Sequence, residues 1–260
     1  MRNPRLRLAV TSLLLAAFCF DMPARLLWVS CAVVLSNNGA LDAATPTVNP
    51  DNPSLGTDYY VDPIAGSMSN PGTAAAPWST FQEVIAAGKR FAAGDVIYLR
   101  SGDHGFPVIT GDNAGDVTIT KQAGHEPVIN RIDFIGATHW VLDGVEVHTN
   151  AAPPVAHPLE HPVFPVYDST LVRITGASSE ITLRNCSIYS IGNSSAWTAG
   201  DWNTKAWTGV YINNNSHHIT IDQCHVKNVF FGINMNGTTH HLTIKNSIVR
   251  NFCDCFFQLQ

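Results

Sequence analysis

The sequence predicts an all-β protein, a right-handed parallel β-helix (a solenoid) with an N-terminal capping α-helix. Three observations predict it. First, one phrase recurs along the chain: "HWVLDGVEVH" from His139, "EITLRNCSIY" from Glu180, "HITIDQCHVK" from His218 and "HLTIKNSIVR" from His241. The spacings of 41, 38 and 23 residues fit a solenoid rung of 23 residues, with insertions in the two longer intervals. Second, apolar side chains alternate at period two within each phrase, as at Ile219 and Ile221, and Val226 follows. Third, only 13% of residues are charged, while Gly, Asn, Ser, Thr and β-branched residues are plentiful, which suits short strands and many turns. Two short strands and a turn fill a rung and leave no length for the helix of a leucine-rich repeat.

Residues 1 to 43 read as an export signal. Basic residues (Arg2, Arg5, Arg7) precede "LAVTSLLLAAFCF", and Met22 to Arg25 precede "LLWVSCAVVL". Met22 is the expected true start, with cleavage near Ala43 or Ala44; a double-length signal or an N-terminal anchor is the alternative. Neither apolar run reaches the roughly 18 residues of a spanning helix. Cleavage would leave a secreted or periplasmic protein without a membrane segment. It would also remove four arginines and two aspartates, making the remainder more acidic than the formal charge of −5. Such a chain is a poor partner for nucleic acid. Four of the six cysteines would remain, Cys186, Cys224, Cys253 and Cys255, too few for a disulfide scaffold at this length.

Residues 44 to 57 form a Pro/Asn/Ser linker, and residues 58 to 260 the β-helix domain. "DYYVDP" is the first strand of that domain. Ser79 is the expected helix cap, with Gln82 completing a capping box, and Phe81, Val84, Ile85 and Phe91 mark the apolar face. Such a helix covers the open apolar end of a solenoid. "VIYLRSG" follows as a strand, and then the rungs stack, with "VRITG" from Val172, "VYINN" from Val210 and "INMNG" from Ile233 aligned as well. At the other end "NFCDCFFQLQ" brings a new strand and no cap, so a truncated, uncapped end with a bare strand edge is expected.

Stacking turns sequence intervals into vertical columns. Asp143, Arg184, Asp222 and Lys245 form an outward column of alternating sign, as neighbours prefer. Asn185, Gln223 and Asn246 form a polar column expected to satisfy turn backbone groups. Cys186 and Cys224 share an inward column, where parallel Cβ vectors strain a disulfide and favour free thiols.

The stretch "YYVDPIAGSMSNPGTAAAPWSTFQEVIAAGKRFAAGDVIYLRSGDHG", followed by "HEPVINRIDFIGATHWVLDGVEV", resembles the start of the pectate-lyase-like superfamily of secreted β-helix proteins. The resemblance covers residues 58 to 260. It implies a β-helix that acts on extracellular polysaccharide, since that superfamily includes chondroitinase B-like and alginate lyases, glycoside hydrolases and uronan epimerases; it also includes non-catalytic surface proteins. The lyases pair a catalytic Lys and Arg about one rung apart and hold calcium with glutamates. Here "HHITIDQCHVK" offers Asp222 alone, so no cofactor carries over and calcium is without a motif. The aspartate pair with Gly-His-Gly of polygalacturonases and the Asp/Arg/Gln set of pectin esterases are absent.

One column has the chemistry for a uronate polymer: His148, Tyr189, Lys227 and Arg250. Eliminative cleavage needs a cation on the carboxylate and a base for the C5 proton. Lys227 and Arg250 are the expected catalytic pair, and Tyr189 is a second possible base because a neighbouring positive charge favours the deprotonated form. His148 and Tyr189 are expected to contact substrate. So are Trp197, Trp202 and Trp207, whose broad rings suit sugar faces and which lie on the insertion at 190 to 208. A second insertion, 149 to 170, is rich in Pro and His. The plain alternatives are a solvated basic edge for the column and a rung cover for the tryptophans. The double histidines (His217, His218, His240, His241) read as turn packing, and no metal site is assigned. The expected function is a polysaccharide lyase acting on a uronate-containing polymer by β-elimination. The alternative is a non-catalytic glycan-binding or cell-surface β-helix. The oligomeric state is not legible.

Overall fold

The computed structural model describes residues 32–35, 56–149, 169–253 and 257–259. Most of the expected signal peptide, most of the linker and the body of the Pro/His insertion lie outside the described residues.

In chain order the elements are β1 (Ala32–Leu35), β2 (Asp58–Val61), α1 (Phe81–Ala86), β3 (Val96–Leu99), β4 (Gly102–Asp103), β5 (Val108–Lys121), β6 (Pro127–Ile129) and β7 (Ile132–Asp143). There follow β8 (Glu146–Val147), β9 (Thr170–Thr175), β10 (Ser179–Arg184), β11 (Ser187–Tyr189), α2 (Ala199–Lys205), β12 (Thr208–Ile212) and β13 (His217–Asp222). The last are β14 (His225–Val229), β15 (Ile233–Met235), β16 (His240–Lys245), β17 (Ser247–Phe252) and β18 (Phe257–Leu259).

The chain coils as a parallel β-helix. Ile219 lies beside Leu242, and His217 beside His240, so the 23-residue interval is one turn of the coil. Val210 sits between Val172 and Ile233, as the alignment of the upstream strands predicts. Each full turn has three strands, not the two expected. The extra corner lies inside the repeated phrase, where Gly144, Asn185, Gln223 and Asn246 take positive φ of 69°, 56°, 53° and 51°. This left-handed residue turns the chain from one face to the next, for example from β13 to β14. Asn and Gly accept that backbone readily, which is why they recur there. Two of the corner amides donate to side chains and not to turn backbone. Asn185 Nδ2 donates to Asp143 Oδ1 at 2.7 Å, and Asn246 Nδ2 to Asp222 Oδ1 at 3.0 Å.

A second left-handed column starts the next face: His139, Glu180, His218 and His241, with φ of 60°, 53°, 53° and 55°. The recurring polar residue before each "ITI"-type run is therefore a corner residue, as the turn-packing reading expects. Inside the coil, Ile181, Ile219, Ile188 and Val226 are fully buried, and Cys186 and Cys224 are free, buried thiols.

At the N-terminal end α1 lies over the core through Phe81 and Val84. Its cap is Thr80 with Glu83 at N3, one residue beyond the expected Ser79/Gln82 pair. Gln82 is used elsewhere, its Oε1 accepting from Phe106 N at 2.6 Å. The buried His104 fixes the helix start. Its Nδ1 accepts from Phe81 N at 3.3 Å, while Nε2 lies 2.8 Å from the Arg100 carbonyl, to which it donates. At the other end β1 pairs antiparallel with β17, while β18, the new strand, pairs with β15 alone among the described residues.

Candidate functional site

The site is built on the face formed by β4, β6, β8, β11, β14 and β17. Val147, Ile188, Val226 and Val249 point inward and are buried, so the residues on either side of each point outward. Register then places Tyr189 beside Lys227 and Lys227 beside Arg250. His148 stacks on Tyr189, rings 15° from parallel and 4.6 Å apart. The Lys227 ammonium lies 4.8 Å from the centre of the Tyr189 ring on the next rung. All four members of the predicted column are thus consecutive neighbours.

Two residues that the sequence reading passed over complete this face. Glu146 accepts from the Tyr189 hydroxyl at 2.7 Å and lies 3.8 Å from His148 Nε2. Burial, and then that hydrogen bond and the carboxylate charge, push the Tyr189 phenol well above its ordinary range. The hydroxyl donates to Glu146 and its proton is held more tightly, the opposite direction to the activation by neighbouring cations that the sequence suggests. The second is His225, beside Ser187 on the rung below. Its Nε2 is buried and meets no partner. Burial, followed by the charges of Arg250 and Lys227, keeps its imidazole neutral by lowering its pKa. The period-two pattern that picked out Lys227 also marks His225, two residues earlier. Burial lowers the pKa of His148 too, with Glu146 opposing.

The charges on this face are segregated. Asp103 and Glu146 are its carboxylates among the described residues, and both already accept hydrogen bonds, Asp103 from Asn130 Nδ2 at 2.8 Å. Lys227 and Arg250 sit on the later rungs with no carboxylate partner among the described residues. Calcium takes about six to eight oxygen ligands. The two engaged carboxylates do not fit it, and among the described residues no three His, Cys, Asp or Glu groups converge on a metal position.

The tryptophans lie elsewhere. The insertion at 190 to 208 contains α2, a helix the sequence reading left as loop, capped by Thr198 with Asp201 at N3 and braced by Lys205 to Asp201 at 2.6 Å. Trp202, 3% exposed, packs with Ala206, Tyr211, Phe230 and Phe231, and Trp207, 7% exposed, joins the main core. Neither offers a free ring face for sugar stacking: the apolar side of a short amphipathic helix needs cover, and these rings supply it. Trp197 is half-buried and meets Trp202 edge to face at 5.0 Å. The insertion is tied to the functional face by Ser194 Oγ, which donates to Asn228 Oδ1 at 3.1 Å and accepts from Asn251 Nδ2 at 2.8 Å.

The double histidines form two stacked pairs. His217 lies 5.0 Å from His240 and His218 lies 4.5 Å from His241, both nearly parallel. Within each rung the two Nδ1 atoms approach to 2.8 Å and 2.7 Å, so one nitrogen of each pair carries a proton and the other accepts it.

No protein-family model matches the chain, and no curated protein matches its sequence. Among solved structures it is similar to pectate lyase Pel9A, with a TM-score of 0.50 and 17% identity, over 74% of this chain and 47% of that one. It is also similar to a rhamnogalacturonan lyase (TM-score 0.43, 16% identity, 74% and 62% of the two chains). A third is the GH136 lacto-N-biosidase from Eubacterium ramulus (TM-score 0.39, 16% identity, 74% and 34%). The chain therefore spans about half the length of the pectate lyase it matches, and what the two share is the parallel β-helix fold. Among the described residues no helix is long and apolar enough to cross a membrane.

Proposed function

We propose that this is an exported, carbohydrate-active β-helix protein that engages a uronate-containing polysaccharide on the face carrying Lys227 and Arg250, and cleaves it by β-elimination. One observation carries the reading. Two cations occupy consecutive rungs of one column with no carboxylate beside them among the described residues, above stacked aromatic rings. Like charges in register oppose stacking unless an anion lies across them. The similarity to pectate lyase Pel9A, an enzyme named for an acidic polysaccharide, agrees with that chemistry.

Arg250 pairs with the uronate carboxylate and withdraws charge from it, which stabilises the carbanion-like state formed when the C5 proton leaves. Lys227, once its ammonium has given a proton to solvent, takes the C5 proton. The C4–O4 bond breaks as the C4–C5 double bond forms, and the departing oxygen takes a proton from water. Incubation with a panel of polyuronates should give unsaturated products that absorb in the ultraviolet, and Lys227→Ala should abolish them.

A binding-only reading draws on a different observation. The Tyr189 hydroxyl is held by Glu146 and its ring lies between His148 and the Lys227 ammonium, a rigid row of the kind that holds a ligand without reacting. Retention on immobilised polyuronate with no unsaturated product would select it.

A further inference from the structure

We propose that the paired imidazoles at the corner that opens β13 and β16 bind a divalent late transition-metal ion, copper(II) foremost. Neighbouring residues of a strand point to opposite faces. His217–His218 and His240–His241 depart from that rule. His218 and His241 take positive φ of 53° and 55°, and both rings of each rung turn toward each other. The two Nδ1 atoms then stand 2.8 Å apart in one rung and 2.7 Å in the next. Two imidazole nitrogens that hold one ion at about 2.0–2.1 Å and at right angles stand about 2.9 Å apart. Each rung thus carries a two-nitrogen bite of the right width, and His218 and His241 are exposed, so an ion reaches it from solvent.

The coil itself does not require these histidines. The same two corner positions hold Thr138 and His139 on one earlier rung, and Ser179 and Glu180 on the next. In the free pair one Nδ1 carries a proton that the other accepts. On binding, the donor ring takes its proton on Nε2 instead, and both rings swing their Nδ1 lone pairs from each other to the ion. The neutral ring is the form a metal needs. Burial, and then the charges of His241, His217 and His218, favour that form at His240 by lowering its pKa. Glu180 Oε1, 3.6 Å from His218 Nδ1, supplies negative charge beside the ion, and water fills the remaining positions. Copper(II) heads the affinity order of the divalent ions for nitrogen donors and accepts two adjacent nitrogens in a tetragonal plane. Two dications on neighbouring rungs, about 4.8 Å apart, would repel, so the ladder takes one. It shares no residue with the Lys227–Arg250 face and stands independently of the polysaccharide reading.

The test is a titration of the full chain with copper(II) alone near neutral pH, read by electron paramagnetic resonance. A signal split by two imidazole nitrogens should appear with the first equivalent. His218→Gln and His241→Gln, made singly, should each keep it, because the other rung retains its pair. The double variant should lose it, with affinity down by about 100-fold or more, since the loss of a mere supporting partner already costs about 10–100-fold. Glutamine suits the left-handed corner, as Gln223 at φ 53° shows, so the copper-free thermal midpoint of the double variant should match the parent's. If that variant does not fold, His217→Gln with His240→Gln removes the partner nitrogens from the extended positions and should give the same loss. A parent without the two-nitrogen signal, a signal that survives in the double variants, or one lost in either single variant would overturn the proposal.

Discussion

Two outward columns of the same coil treat charge in opposite ways. On the face of β10, β13 and β16, Asp143, Arg184, Asp222 and Lys245 alternate in sign, with Arg184 2.9 Å from Asp143 and Lys245 3.3 Å from Asp222. One face over, Lys227 and Arg250 follow each other without a carboxylate, while the acids of that face, Asp103 and Glu146, are engaged on earlier rungs. Strand stacking at about 4.8 Å brings equivalent residues together in both places. The first column satisfies itself and needs no ligand. The second, among the described residues, leaves its two cations without a counter-charge.

The largest test of that contrast is Lys227→Ala. Loss of a general base typically costs about 10²–10⁴-fold in rate, so unsaturated product should fall by that much. Its unfolding free energy in urea titrations should stay within about 0.5 kcal/mol of the parent, as for a surface change away from structural features. A drop in stability that matched the loss of product would assign Lys227 to the first kind of column.

Acid should act next, through the histidines. His104, His148, His225 and His240 all have lowered pKa, chiefly from burial, so folding favours their neutral forms. Their contribution is complete above the unfolded-state value of about 6.5 and is lost as pH falls from there through the lower folded-state values. His104 loses most in structural terms, because its protonated ring no longer accepts from Phe81 N and the start of α1 loosens. Denaturation midpoints should therefore fall from pH 7 to pH 5, and His104→Gln should flatten that slope.

Charge reversal in the self-satisfied column comes third. Asp222→Lys would place three cations on consecutive rungs and remove the acceptor of Asn246. A loss of about 1–2 kcal/mol is expected, from like-charge pairs and one hydrogen bond, with product formation unchanged. The smallest effect belongs to Arg184→Ala, whose half-exposed ion pair should be worth under about 1 kcal/mol and less in high salt.

The register was legible because a slip of one residue would expose every inward Ile and Val, so Ile219 over Leu242 and the order of the Lys227 column follow from the pattern alone. Corners were harder. A left-handed Gln223 or His218 looks like any polar residue, and the third strand per turn stayed hidden behind them. The helix cap slipped from Ser79 to Thr80 because both hydroxyls can cap, and the choice lay with His104, whose approach across 23 residues leaves no local trace. Trp202 and Trp207 read as surface rings because their neighbours are polar; the hidden variable was α2, whose capping box uses Asp201 where the usual motif has Glu or Gln. Glu146 became part of the site only through the reach of the Tyr189 hydroxyl across one rung.

The ladder also has a mechanical consequence. Backbone bonds between successive coils, such as Ile248 N to the Cys224 carbonyl at 2.9 Å, point along the axis of the stack. A force pulling along that axis would open the coils one after another, like a zip, at low load. A force directed across it would have to shear whole faces at once, so resistance to stretching should depend on where the molecule is held.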